Sequence, residues 1–301
     1  MEMLLGGTSA VCAGTITNPL EVVKIRMQLQ GELQSKGKYQ IHYRNVFHAG
    51  CTIAIKEGSF ALQKGLRPAL LYQFFMNGTR LGLYDMIDRT QFTRSKDGHV
   101  SPLRSIAVAA FAGSVGGLVG SPFFLVKTQL QSQSDRSIAV GTQHKHPNMI
   151  GAFKYIYTNY GVLGLWKGAS SSLPRTCVAS AVQLSTFEMS LEFARKAYPD
   201  GNRWSTAFLA SLISGFFVSF AMSPFDLIST RFYNQDVDKH GKGVTYRSVL
   251  DCAAKIWKRE GFLGFYKGWS ANYIRIGPHT LLNLMFWDQL KHYHKEYLKG
   301  K

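Results

Sequence analysis

Three stretches of the chain, residues 3–20, 105–126 and 204–225, contain no lysine, arginine, aspartate or glutamate. A helix needs about 20 mostly apolar residues to cross a bilayer, so these three read as membrane helices. Three more stretches, residues 68–79, 176–187 and 276–287, are uncharged for only a dozen residues and have arginine close by. Alone, each reads as a buried helix of a soluble protein. Used three times, they read as second membrane helices that turn one polar face to a wet cavity. Between the two kinds lie residues 46–56, 150–159 and 248–259, with apolar positions at helical spacing such as Val249, Cys252, Ala253 and Ile256. These predict short amphipathic helices. Each leads into a turn bounded by glycines seven residues apart, Gly58 to Gly65, Gly161 to Gly168 and Gly261 to Gly268.

The same phrase closes each long uncharged stretch. Pro19-Leu20-Glu21-Val22-Val23-Lys24 is echoed by Pro122-Phe123-Phe124-Leu125-Val126-Lys127 and by Pro224-Phe225-Asp226-Leu227-Ile228-Ser229. A period of roughly a hundred residues is too long for a solenoid unit, so each copy is a multi-helix module. The expected fold is an all-α membrane protein with six transmembrane helices in three pseudo-repeats around a central cavity. The repeats cover residues 1–90, 101–198 and 203–298 and form one transport domain. Small residues recur four apart in the long stretches: Gly6, Ala10 and Gly14; Gly113 and Gly117; Ser211, Gly215 and Ser219. Such faces let membrane helices approach closely. The run from Gly113 to Gly120 superficially resembles a phosphate-cradling loop, but it lies inside an uncharged span with no strand before it, and close packing is the better reading.

The formal net charge of +17 would suggest a nucleic-acid partner in a soluble protein. Here the basic residues sit between the spans and inside two of them, with no zinc-finger, RNP or helix-turn-helix pattern. An anionic lipid surface and an anionic solute are the better partners. Cys12, Cys51, Cys177 and Cys252 are scattered and predict neither disulfides nor a metal site. His144-x-His146 and His292-x-His294 are too sparse for a metal and are assigned to solvent. With no cofactor motif and no convergent catalytic set, an enzyme is not expected. The first span begins at Met3, so targeting information is expected to be internal.

Taken together, the threefold proline motif and the turns Glu57-Gly58 through Lys64-Gly65, Tyr160-Gly161 through Trp166-Lys167-Gly168 and Glu260-Gly261 through Tyr266-Lys267-Gly268 resemble the mitochondrial carrier family over essentially the whole chain. Ser223-Pro224-Phe225-Asp226 and Gly277-Pro278-His279-Thr280 are similar to the oxaloacetate/dicarboxylate branch. The resemblance implies six helices about a pseudo-threefold axis in the mitochondrial inner membrane. It also implies matrix-side amphipathic helices, and both termini toward the intermembrane space.

The prolines Pro19, Pro122 and Pro224 are expected to kink their helices at one depth. Acid and base three residues apart share a helix face. In a ring of three, Glu21 then meets Lys127 and Asp226 meets Lys24, forming a matrix gate. The alternative is ordinary helix-end charge in contact with water. The remaining pair, Phe124 and Ser229, has lost both charges, which leaves two bridges and a gate cheaper to open. Gln129 stands where the family often braces a bridge from beneath, here Glu21–Lys127. At the opposite, cytosolic-side mouth only Glu188–Lys291 fits the family's pattern, so a weak gate is expected there.

Counting thirteen residues back from Asp85, Glu188 and Asp288 lands at the level where the family binds its substrate: Tyr72, Arg175 and Arg275, with Gln73, Thr176 and Ile276 beside them. Arginine at membrane depth is costly unless it faces water or an anion, and its fork suits carboxylate or sulfate. Arg80 either faces the cavity or pairs with Asp85; His279 and Asn283 either line it or bond between helices. Gly65, Gly168 and Gly268 open helices whose N–H groups favour phosphate, and the resemblance implies cardiolipin there. The expected function is alternating-access transport of small anions (oxaloacetate, other dicarboxylates, keto acids or sulfate) by a monomer. A regulated proton or anion leak and a non-transporting adaptor remain as alternatives.

Overall fold

The computed structural model describes residues 2–34, 39–93, 101–199, 202–238 and 242–299. The chain is all-helical. Six long helices, α1 (Glu2–Leu29), α3 (Leu66–Arg89), α4 (Pro102–Ser132), α6 (Ala169–Ala197), α7 (Arg203–Asn234) and α9 (Trp269–Lys299), alternate in pairs with three short ones. The short helices are α2 (Val46–Glu57), α5 (Met149–Gly164) and α8 (Val249–Glu260). Each long helix packs on two others in the order α1, α3, α4, α6, α7, α9 and back to α1, which closes a ring. Leu103–Ser132 and Ser205–Asn234 are long and apolar enough to cross a membrane by composition alone.

Small residues set how closely the ring packs. A Cβ on Gly116 of α4 would stand 2.7 Å from the Met76 carbonyl oxygen of α3, and one on Gly215 of α7 would stand 2.9 Å from Ile276 of α9. Pro19, Pro122 and Pro224 lie inside α1, α4 and α7, which continue past them as helix.

The short helices start where a side chain satisfies an orphan donor. Asn45 accepts from the His48 N–H at 2.8 Å, Asn148 from Gly151 at 2.8 Å, and Ser248 from Asp251 at 3.1 Å. They end at glycines with positive φ: Gly58, Gly161 and Gly261. Gly161 has non-helical dihedrals inside α5, so the second short helix stops where the other two do. Beneath the ring the apolar residues fall into three separate clusters. The first centres on Val22, Tyr43 and Ile53, the second on Phe124, Ile156 and Tyr233, and the third on Leu227, Tyr246 and Ile256.

Ion pairs tie these short helices to the long ones. Arg26, wholly buried at the foot of α1, holds Glu57 with two bonds of 2.6 and 2.9 Å, and Lys64 adds a third at 2.7 Å. Arg231 and Lys267 hold Glu260 in the same manner. Burial pushes both carboxyls up, but the bonds from the arginines and lysines overcome it and hold each below the ordinary 4.5. A carboxyl whose folded value lies below its unfolded one adds stability above about pH 4.5 and loses it as pH falls further. The thermal midpoint in detergent should therefore drop below that pH. Glu260→Gln strands a buried guanidinium, so it should cost about 3–5 kcal/mol at neutral pH and flatten the acid limb. A midpoint equal to wild type at pH 7 would refute this role.

Candidate functional site

A cavity of about 250 Å³ occupies the centre of the ring and reaches past the motif prolines to Glu21, Lys24 and Lys127. Its floor is ionic. The Lys127 ammonium of α4 lies 2.5 Å from Glu21 of α1, and the Lys24 ammonium of α1 lies 2.6 Å from Asp226 of α7. All four groups are nearly or fully buried. The pairings are those a ring of three dictates, because acid and base three residues apart face inward together and each meets its neighbour's partner.

Tyr72, Arg175 and Arg275 are each the seventh residue of their helix, counting from Leu66, Ala169 and Trp269. They do not stand free in the chamber. Arg175 donates to the Tyr72 hydroxyl at 2.7 Å and lies 3.8 Å from the second oxygen of Asp226. Arg275 lies 3.5 Å from the second oxygen of Glu21. Each floor carboxylate is thus shared by a lysine and an arginine. The Nε groups of both arginines are buried without a partner, which leaves each guanidinium with donor capacity for a guest.

Arg80 lines the same cavity one helix away and makes no ion pair or hydrogen bond with another described residue. Of its two expected positions the cavity is the one found, since Asp85 is bonded at 2.8 Å to Arg89 on its own helix. Five cations, Arg80, Arg175, Arg275, Lys24 and Lys127, therefore line the cavity against two carboxylates, Glu21 in its wall and Asp226 buried behind Lys24 and Arg175. His279 reaches Thr17 at 3.0 Å and joins α9 to α1, while Asn77 donates to the Gln73 amide oxygen at 2.9 Å.

Several expectations need correction. Gln129 does not brace the Glu21–Lys127 bridge; its amide oxygen accepts from His146 at 3.1 Å. The residue two positions further along the repeat does bracing work instead: Gln28 donates to Asp226 at 2.8 Å and accepts from Thr230. Two residues is more than half a turn, which carries the side chain to a different face. The Thr176 hydroxyl donates within its own helix, and its methyl packs near Gly117 of α4. Ile276 fills the gap at Gly215, and both Thr176 and Ile276 also line the central cavity, as expected. A count of thirteen gives depth along a helix, not direction around it. His144 and His146 are not solvated: they stack at 5.8 Å, and His146 is buried.

Phe124 and Ser229 do not meet. The Ser229 hydroxyl donates to the Ser171 carbonyl, and Phe124 packs between Tyr72 at 5.0 Å and Tyr233 at 4.9 Å. The Arg175 guanidinium sits 4.8 Å over the Phe124 ring. At the opposite end, the side chain of Glu188 falls outside the described residues, and Lys291 lies over its own Trp287 at 4.8 Å. Gly65, Gly168 and Gly268 stand at the starts of α3, α6 and α9 with positive φ. Gly65 and Gly268 also admit the Gln131 and Gln28 side chains, which a Cβ would meet at 2.7 and 2.8 Å.

The family model described as mitochondrial carrier protein matches residues 1–95, 98–198 and 200–298. Human solute carrier family 25 member 35 is 50% identical over 293 residues, 97% of this chain and 97% of that protein. The mitochondrial oxaloacetate transport protein of Schizosaccharomyces pombe is 40% identical, over 95% of this chain and 88% of its own length. The mitochondrial citrate transporter E of Aspergillus niger is also 40% identical, over 95% and 91%. Matched along nearly its whole length by the model and by relatives of this identity, the chain belongs to the mitochondrial carrier family, whose members are transporters of the inner membrane and not enzymes.

Proposed function

We propose that this carrier moves small dianions, dicarboxylates or keto diacids such as oxaloacetate, by alternating access across the mitochondrial inner membrane. The observation behind this reading is the cation surplus in the cavity, with Arg175 and Arg275 as second cations on carboxylates that already have a lysine. Buried charge left unneutralised is costly, so a chamber holding five cations and two anions calls for an anionic guest. The relatives named for oxaloacetate and citrate point the same way.

The geometry suggests how binding opens the floor. A guest with two carboxylates draws Arg175 away from Asp226 and Arg275 away from Glu21. Each bridge then keeps only its lysine, and the guest's charge-assisted bonds, each about 1.5–3 kcal/mol, offset the loss. A monoanion engages one arginine and leaves the other bridge intact. Arg80 lies higher in the chamber, where it attracts the guest on entry and offers a third donor set. The same reading takes the six long helices as the spans, three repeats as one transport domain, a monomer as the working unit, and cardiolipin phosphates at the starts of α3, α6 and α9.

In proteoliposomes, Arg175→Ala or Arg275→Ala should lower kcat/KM for dicarboxylate uptake on the order of 10–100-fold while the thermal midpoint of the purified protein stays within a few degrees. Uptake equal to wild type would remove these residues from the site. Uptake should also require counter-substrate; dissipation of a membrane potential without one would instead favour a leak, for which the absent third bridge argues.

Six spans place both ends of a chain on one side. Epitopes at both termini should be cleaved by protease once the outer membrane is ruptured, while one inserted in the loop before α5 stays protected. Cleavage of one terminus only would exclude six spans.

A further inference from the structure

The three short helices are tied in by equivalent residues in the first and third repeats but not in the second. Seven residues after the motif proline stand Arg26, Gln129 and Arg231; before the first turn glycine stand Glu57, Tyr160 and Glu260; before the second stand Lys64, Lys167 and Lys267. Where Glu57 and Glu260 receive an arginine and a lysine, the second repeat has neither the carboxylate nor the arginine. The lysine remains. Its ammonium is buried and has no hydrogen-bond partner, although a buried charge is ordinarily paired.

The space vacated is a separate cavity of about 50 Å³ between α4, α5 and the end of α7. It is edged by Gln129, His144, His146, Tyr160, Lys167 and the exposed Asp236, which makes no ion pair with the lysine. Gln129, which stands where the other two repeats have arginine, is held by the buried His146. Room of about 10–15 Å³ accommodates one water, so this niche admits three or four non-hydrogen atoms. That is the size of formate, acetate or bicarbonate. Burial pulls the Lys167 ammonium down to about 8 although Asp238 and Asp236 act to raise it, so it stays protonated at neutral pH.

We infer that this niche binds a small carboxylate-like anion against Lys167, in the position that Glu57 and Glu260 fill in the other two repeats. The anion would complete the third tie between a short helix and the foot of the ring. The inference stands apart from the proposed substrate, since the niche lies below the bridges and shares no lining residue with the central chamber.

Thermal unfolding of the purified full-length protein in detergent tests it, with sodium formate compared against sodium gluconate, too large for the niche, at equal ionic strength. Formate at several times its dissociation constant should raise the wild-type midpoint by roughly 2–4 °C. Tyr160→Glu, which supplies the carboxylate from within, should raise the midpoint in gluconate and abolish the response to formate. Lys167→Met should abolish the response without the gain, and it carries the test alone if Tyr160→Glu does not fold. Arg275→Ala, altered only in the central chamber, should keep the response. No formate response in wild type overturns the inference, as does a response that survives Lys167→Met or disappears in Arg275→Ala.

Discussion

Two carboxylates, Glu21 and Asp226, hold the foot of the ring together, and each is gripped from two other repeats or helices at once. Lys127 and Arg275 meet on Glu21; Lys24 and Arg175 meet on Asp226. These groups are nearly or fully buried, so breaking either set leaves a poorly compensated charge. That cost makes the closed foot a distinct state and not one among many. On the transport reading proposed above, the foot then yields to a guest that brings its own negative charge. On that reading, stability and selectivity come from the same four contacts.

Those contacts depend on how near the helices come. Gly116 and Gly215 let α4 and α7 lie directly on α3 and α9. At the turns, Gly65 and Gly268 take a left-handed conformation that also leaves room for Gln131 and Gln28. Gln28 then reaches Asp226, so a glycine in the third repeat helps to fix an amide of the first beneath a carboxylate of the third. The lower ties, Arg26 on Glu57 and Arg231 on Glu260, lock the short helices under this arrangement. Both arginines also donate to main-chain carbonyls of the following repeat, which joins the first repeat to the second and the third to the first.

Helix pattern, ring pairing and cavity level were legible because periodicity and depth are properties of a single helix. Uncharged runs and the Gly-to-Gly turns mark the element ends, and the spacing of Glu21 and Lys24 already puts acid and base on one face. What one helix cannot reveal is rotation relative to its neighbours. Gln129 and Gln28 both follow a motif proline, yet one turns toward His146 and the other toward Asp226. Thr176 and Ile276 line the cavity and also pack at helix seams, a second role that depth alone does not give. Arg80 could not be placed from sequence because Asp85 offered an equally spaced partner; Arg89 takes that partner. The buried histidines were missed because a loop's sequence gives no sign of the crevice it fills.

The loss of charge at Phe124 and Ser229 has a consequence beyond a missing bridge. Their places are filled differently: Ser229 closes on the Ser171 carbonyl, while Phe124 wedges between Tyr72 and Tyr233 under the Arg175 guanidinium. Aromatic contacts of this kind contribute about 0.5–1.5 kcal/mol each, and a cation over a ring face adds a comparable amount. They differ from an ion pair in what opening demands, because separated rings expose apolar surface but leave no unpaired charge. The foot is therefore a ring with two ionic sides and one aromatic side. Arg175 belongs to both kinds at once, through Asp226 and through Phe124. An anion that draws Arg175 upward loosens an ionic side and the aromatic side together, whereas one that draws Arg275 loosens only Glu21. On the proposed mechanism, the pseudo-threefold ring would begin to open at the seam between α4, α6 and α7.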